Sequence, residues 1–206
     1  MHRQVDDRPR GWRLARLESG ERMPFSYYSR LSSREKAIYR RSDEVTTLAL
    51  PDPEALRPVV DEVRQALASD QRRAVEAAAE RLVLGIVEPL GLPSLSVSVL
   101  AVRPSSSWGE LHGLYTRGRR GSARIELWMR TARHHRAVAF RTFLRTLLHE
   151  VGHHVDYEHL RLGESFHTEG FFRRESSLFK QLVPAPADPT KAQLPLPPES
   201  RPGGRK

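Results

Sequence analysis

The chain has 206 residues, enough for one domain with a hydrophobic core and too few for two full domains. It contains no cysteine, which excludes disulfides, cysteine-ligated zinc and thiol nucleophiles, so any metal must be held by histidines and carboxylates. The formal net charge of +9 makes nucleic acid a candidate partner, although arginines in flexible tails would produce the same charge.

Both ends of the chain are expected to be disordered. Residues 1–24 are basic and lack hydrophobic periodicity, and residues 184–206 are rich in proline. The N-terminus has no apolar stretch of signal-peptide length, and no segment approaches the roughly 18 apolar residues of a membrane span. We therefore expect a soluble, cytoplasmic protein with no membrane partner, whose oligomeric state the sequence does not define.

Residues 25–52 form an arm whose structure the sequence leaves open, and residues 53–183 are predicted to form the folded domain. Asp52 and Pro53 are typical of a helix N-cap and a first helical residue. The apolar residues that follow recur at helical spacing: Leu56, Val59, Val63 and Leu67. A second helical stretch follows Asp70, either continuous with the first or separate from it, and it places Val75, Ala79, Leu82 and Ile86 on one face.

Three strands are predicted after Pro93. Residues 94–103 alternate apolar and small polar side chains, which is the period of a half-buried strand. Residues 112–117 and 123–129 also favour strands, joined by a polar turn bounded by Gly118 and Gly121. We expect a small, mostly antiparallel sheet in which residues 123–129 form an edge strand that could pair with an extended substrate.

Residues 136–157 are predicted to form an amphipathic helix that carries a metal site. His149 and His153 are one helical turn apart and lie away from the apolar stripe, so both imidazoles can face one ion. With Glu150 they form the His-Glu-x-x-His pattern of metallopeptidases. Zinc lowers the pKa of a water that it binds to near 7, and Glu150 would accept that proton and pass it to the leaving amine. His154 points elsewhere and is expected to pack or to face solvent.

The third protein ligand has three candidates. His159 has the spacing found in metzincins, but Asp156 stands where that pattern has glycine. Glu175, in the middle of the last predicted helix, is the choice typical of gluzincins. His167 is favoured because Gly163 can end the preceding helix and because His167 opens a second amphipathic segment that would pack back as a return helix.

The sequence His149-Glu150-Val151-Gly152-His153, together with His167 and an aromatic residue four positions later, resembles the SprT-like family of minimal zinc peptidases. The resemblance covers roughly residues 53–183. It implies a zincin-like domain, one zinc ion per chain and cleavage of protein substrates, which in some members are proteins attached to DNA. The cysteine-rich zinc ribbon that follows the catalytic part in such proteins has no counterpart in this chain.

The predicted elements together make an α+β domain: N-terminal helices, a small sheet, an active-site helix and a return helix. We expect a zinc metallopeptidase in which His149, His153 and His167 bind the metal and Glu150 is catalytic, with protein or peptide as substrate. The rival interpretations are a DNA-associated protease, a processing peptidase for one partner protein, and a non-catalytic basic module that binds nucleic acid or protein and retains a zincin fold.

Overall fold

The computed structural model describes residues 25–106, 109–118 and 122–184. Apart from residue 184, the two predicted tails lie outside these residues, as does most of the turn between Gly118 and Gly121. Within them the fold is α+β, as predicted, with five α-helices and a three-stranded mixed sheet.

The arm, residues 25–52, contains a 3-10 helix at Ser26–Arg30 and helix α1 at Ser33–Glu44, followed by an extended segment. A capping box begins α1: the Ser32 hydroxyl accepts from the Glu35 amide, and the Glu35 carboxylate accepts from the Ser32 amide. Tyr39 of α1 is buried and packs edge-on against the rings of Tyr27 and Tyr28. The ring of Tyr27 also lies 6.5 Å from the ring of Phe166, so aromatic contacts hold the arm together and against the rest of the domain.

Helices α2 (Pro53–Ala68) and α3 (Arg72–Val87) pack against each other. Asp52 caps α2 by accepting from the Ala55 amide at 3.1 Å, as the sequence predicts. The two helices are separate, because Asp70 adopts a left-handed conformation with φ of 54° between them. The predicted core face of α3 is confirmed, with four fully buried residues: Val75, Ala79, Leu82 and Ile86.

The sheet has the order β1-β5-β4, formed by β1 (Leu95–Val102), β4 (Gly113–Arg117) and β5 (Ala123–Arg130). Two short strands, β2 (Ser105–Ser106) and β3 (Gly109–Glu110), make a separate ribbon between β1 and β4. The prediction of a mostly antiparallel sheet is wrong, because β1 runs parallel to β5 and only β4 is antiparallel to it. The prediction that residues 123–129 form an edge is also wrong: β5 is the central strand, and β4 is an edge.

Helices α4 (Phe140–Glu158) and α5 (Glu169–Leu182) complete the domain. Helix α4 packs on β4 and β5 with one side and on α5 with another, so every residue from Thr146 to Asp156 is buried. His149 and His153, which were predicted to lie away from the apolar stripe, are therefore internal. Among the described helices, none combines the length and apolar character needed to cross a bilayer.

The turn between α4 and α5 differs from the prediction. Helix α4 ends at Glu158, before Gly163, and the residue in the left-handed region is Arg161, with φ of 53°. The amides of Leu160 and Leu162 donate to carbonyls of the last turn of α4 and close the helix end. Helix α4 therefore ends two residues after Asp156 and the chain turns at Arg161, early enough for His167 to reach α4.

Candidate metal centre

Three imidazoles meet between α4 and α5. His149 and His153 extend from α4, and His167 lies two residues before α5 begins. The Nε2 atom of His167 is 3.0 Å from Nε2 of His149 and 3.3 Å from Nε2 of His153. Nitrogens about 2.0 to 2.1 Å from a tetrahedral zinc ion would lie roughly 3.3 to 3.4 Å from one another. The spacing of these atoms fits a single ion bound by all three rings.

The hydrogen bonds of two of these rings fix where their protons lie. Nδ1 of His149 is 3.1 Å from a carboxylate oxygen of Glu175, which can only accept, so Nδ1 carries the proton. Nδ1 of His153 is 2.7 Å from the Ser165 hydroxyl, which donates its own proton to Asp156 and so accepts from His153. Both Nε2 atoms are left with lone pairs, and both lie within 3.3 Å of Nε2 of His167. Such an arrangement of lone pairs suits a bound cation.

His153 is held in its neutral form. Burial is the main reason that its pKa lies well below the ordinary value of 6.5, and the neighbouring His149 and His167 lower the pKa further. The neutral imidazole is the form that binds a metal, because protonation occupies the lone pair. The His153 ring is therefore in the metal-binding form at neutral pH.

His167 is positioned by the start of α5 and by the arm. Thr168 is the N-cap of α5, and its hydroxyl accepts from the Phe171 amide at 3.0 Å. The Tyr27 hydroxyl donates to the backbone carbonyl of His167 at 2.8 Å. These contacts fix the backbone that follows the imidazole, at the start of α5.

Phe171 lies beside all three histidines, with ring centroids 4.9 Å from His149, 4.9 Å from His153 and 5.3 Å from His167. It reaches this position because Gly152 of α4 has no side chain. A Cβ atom at Gly152 would lie 3.0 Å from Cζ of Phe171. The glycine of the motif and the aromatic residue after His167 are thus two parts of one packing contact.

Gly152→Ala is expected to destabilise the protein by about 1 to 3 kcal/mol, because the added methyl group pushes Phe171 into the histidines. Urea denaturation of the zinc-free protein measures this loss. Gly163→Ala is the matched control, since its Cβ would meet only Ile38, at an ordinary contact distance of 3.4 Å. Equal midpoints for the two variants would contradict the packing interpretation.

Glu150 lies on the other side of the histidines, against β4. It is 3% exposed, and a Cβ at Gly113 would lie 2.5 Å from its Oε1 atom and 2.7 Å from Cγ2 of Thr146. Gly113, the first residue of β4, can contact the Glu150 carboxylate closely because it has no side chain. A side chain at this position would displace Glu150.

The other two candidate ligands are not part of the histidine group. His159 is exposed at the C-cap of α4. Glu175 is buried, but it accepts from the far nitrogen of His149 and forms an ion pair with Arg145, in which Nη1 and Oε1 are 3.4 Å apart. A carboxylate in this position would orient the His149 ring toward a metal ion, should the histidine group hold one. Sequence reasoning identified Glu175 as a candidate but assigned it a different role.

If the histidine group holds zinc, Glu175→Ala is expected to weaken zinc binding by about 10- to 100-fold, because His149 loses the acceptor that orients its ring. Competition with a chromophoric zinc chelator gives the dissociation constant. Glu169→Ala, on the first turn of the same helix, is the control and should leave the constant unchanged. An unchanged constant for Glu175→Ala would remove Glu175 from the metal centre.

His154 is structural. It is fully buried, its Nε2 atom donates to the Pro93 carbonyl at 2.9 Å, and its Nδ1 atom accepts from the Tyr115 hydroxyl at 3.1 Å. Burial lowers the pKa of His154 and raises the pKa of Tyr115. Of the two alternatives expected for His154, packing and exposure to solvent, the structure shows packing, and the residue ties α4 to β4 and to the segment before β1.

Comparison of the chain with known protein families, with curated proteins and with solved structures finds no match.

Proposed function

We propose that the protein is a zinc-dependent peptidase in which His149, His153 and His167 bind the metal and Glu150 is the catalytic base. The observation that carries the proposal is the convergence of three imidazole Nε2 atoms in a partly buried site beside a buried carboxylate. Imidazole donors suit zinc, and three protein ligands leave a coordination position open for chemistry. A purely structural zinc site would need a fourth protein ligand.

Zinc in such a site supplies Lewis-acid catalysis, which polarises a carbonyl group and makes water more acidic. Glu150 accepts a proton on its carboxylate from the attacking water and passes it to the nitrogen of the leaving amine. Its burial against Gly113 and Thr146 keeps the carboxylate in one place and shields it from bulk solvent. The bond that breaks is the peptide C–N bond, and water adds across it.

Strand β4 is the surface on which we expect a substrate to bind. One side of β4 pairs with β5, and its other side carries no strand within the described part of the chain. An extended peptide can add to such an edge through main-chain hydrogen bonds, which recognise backbone and so give loose specificity. Because β4 begins at Gly113, beside Glu150, a peptide bound along it would pass the histidines.

The proposed function predicts zinc-dependent cleavage of unfolded proteins by the full chain. The experiment is a digest of a panel of denatured proteins with one equivalent of zinc, after treatment with a chelator, and after zinc is restored. We expect cleavage with zinc, loss of cleavage after treatment with the chelator, and renewed cleavage after zinc is restored. Stoichiometric zinc binding without cleavage of any panel member would instead favour the non-catalytic binding module.

DNA-associated substrates remain part of the proposal because of one basic loop. Residues 131–139 join β5 to α4, and Arg133, His134, His135 and Arg136 are all exposed there. Exposed arginines can contact phosphates, and each such contact would make DNA binding more strongly weakened by rising salt concentration. Titration of duplex DNA at several salt concentrations, with an Arg133→Ala/Arg136→Ala variant beside the wild type, tests this contact.

A further inference from the structure

A buried ion pair lies behind the histidines and joins α5 to α4. Nη2 of Arg174 is 2.6 Å from Oδ1 of Asp156, and the two side chains are 2% and 0% exposed. Burying two charges carries a desolvation cost, and apolar residues of similar size often give equal or greater stability. Stability alone therefore does not account for charges at these two positions.

The ion pair is connected to His153 by hydrogen bonds through one hydroxyl group. The second carboxylate oxygen of Asp156 accepts from the Ser165 hydroxyl at 2.7 Å, and that hydroxyl is 2.7 Å from Nδ1 of His153. A negative charge thus lies one hydroxyl away from a candidate metal ligand. Hydrogen bonds of this type fix the orientation of a ligating histidine and increase its basicity.

On its other side, the ion pair is connected to the arm through hydrogen bonds of Arg174. Arg174 donates to the carbonyl of Ser42 at 2.6 Å, to the hydroxyl of Ser42 at 2.9 Å and to the carbonyl of Val45. The arm also contacts the start of α5, where the Gly170 amide donates to the Asp43 carboxylate at 2.6 Å. A Cβ at Gly170 would lie 2.5 Å from the Ser42 carbonyl oxygen, so the two backbones approach as closely as a glycine allows.

We propose that Ser165, Asp156 and Arg174 are positioning residues for His153, and that docking of the arm through Ser42 and Val45 is required for tight metal binding. The proposal rests on the proposed zinc centre. Arg174 balances the charge of Asp156 and holds it against Ser165, and Ser165 in turn keeps the proton of His153 on Nδ1. Its lone pair on Nε2 is thereby directed at His149 and His167.

Ser165→Ala tests the connection to His153 in the full chain. We expect the dissociation constant for zinc, measured against a competing chelator, to rise by about 10- to 100-fold. Ser69→Ala is the matched control, because its hydroxyl donates to the Ala66 carbonyl at the end of α2, outside this network. A constant within twofold of the wild type for Ser165→Ala would overturn the proposal.

A second measurement reports on His153 without zinc. Nitrogen-15 chemical shifts of the imidazole identify the protonated nitrogen, which should be Nδ1 in the metal-free wild type. In Ser165→Ala we expect the tautomer protonated on Nε2 to become populated, whereas a change in packing alone would leave the tautomer as it is. An unchanged tautomer would overturn the role of Ser165. If the wild type bound no zinc, the proposed function would fail, yet this measurement would still decide whether the network positions His153.

The role of the arm is tested by hydrogen exchange, because coupling between metal binding and docking must be reciprocal. Removing zinc from the wild type should increase exchange of the α1 amides several-fold more than exchange of the α2 amides, which serve as the internal control. Equal responses of α1 and α2 would contradict a link between the arm and the metal.

Discussion

Glu150→Gln is expected to reduce peptide cleavage by about a hundredfold or more, while zinc content and melting temperature stay nearly unchanged. Glutamine has the shape of glutamate and fits the same space beside Gly113 and Thr146, but its amide cannot accept the proton of the attacking water. The rate should therefore fall without any loss of structure. Initial rates on a protein that the wild type cleaves, with zinc at one equivalent, give the comparison.

The matched control for this variant is Glu158→Gln, a change of the same chemistry on the same helix. Glu158 pairs with Arg117 and Arg161 near the end of α4, and its carboxylate takes no part in the histidine group. Glu158→Gln should cleave at the wild-type rate. Wild-type activity in Glu150→Gln would remove Glu150 from the mechanism and favour a binding function for the site.

His167→Ala is expected to weaken zinc binding by more than about a hundredfold, which exceeds the loss usual for a residue that only orients a ligand. Deleting the imidazole removes one of three nitrogen donors and leaves His149 and His153 with two positions open to water. Titration of zinc against a competing chelator measures the effect. The loss should exceed that of Glu175→Ala, which removes only the orienting carboxylate.

His159→Ala is the control for this comparison, because His159 is exposed at the end of α4 and its loss should leave the dissociation constant unchanged. The expected order of effects is thus His167, then Glu175, then His159. Should Glu175→Ala cause the largest loss while His167→Ala binds zinc normally, the metal would be held by a gluzincin-type set of ligands, and the proposed centre would be wrong.

The parts of the candidate site that could be predicted from the sequence are those set by short-range geometry. His149 and His153 are one turn apart on a helix, so their proximity follows from helical periodicity alone. His167 lies in the short connection between α4 and α5. Because α5 begins just after it and packs back on α4, the backbone of His167 must lie near α4. Its position beside the other two histidines agrees with the expectation. Of the two reasons given for it, the return helix is present as α5, but the helix stop at Gly163 does not hold.

The order of the strands could not be predicted from the alternation of apolar and polar residues. Alternation identifies a strand but not its partner, and β1 pairs with β5, which is distant in the sequence. One signal in the sequence does distinguish the strands. In β5 the consecutive residues Leu127, Trp128 and Met129 are all buried, which is typical of a strand covered on both faces and paired on both sides. An edge strand with one face in solvent would continue to alternate, so this apolar run indicates the central position.

The residues behind the histidines were missed for a different reason. In the sequence Arg174 looks like one more surface arginine in a basic chain, and Ser165 carries no pattern at all. Asp156 was interpreted as the residue that replaces the glycine of the metzincin pattern, whereas it pairs with Arg174 inside the protein. Such roles depend on contacts between side chains far apart in the sequence, and the helical or strand periodicity of a segment does not indicate them.

The network that joins the arm to His153 also bears on the order in which the protein folds. His149 and His167 are 18 residues apart, whereas Arg174 and Ser42 are separated by 132 residues. Closing the longer loop costs about 1.7 kcal/mol more in chain entropy, and contacts of long sequence separation form slowly. The hairpin of α4 and α5 should therefore assemble first, with the histidines already facing one another. The N-terminal arm should add to it late, so that a newly made chain acquires its tightest metal site only in the last step of folding.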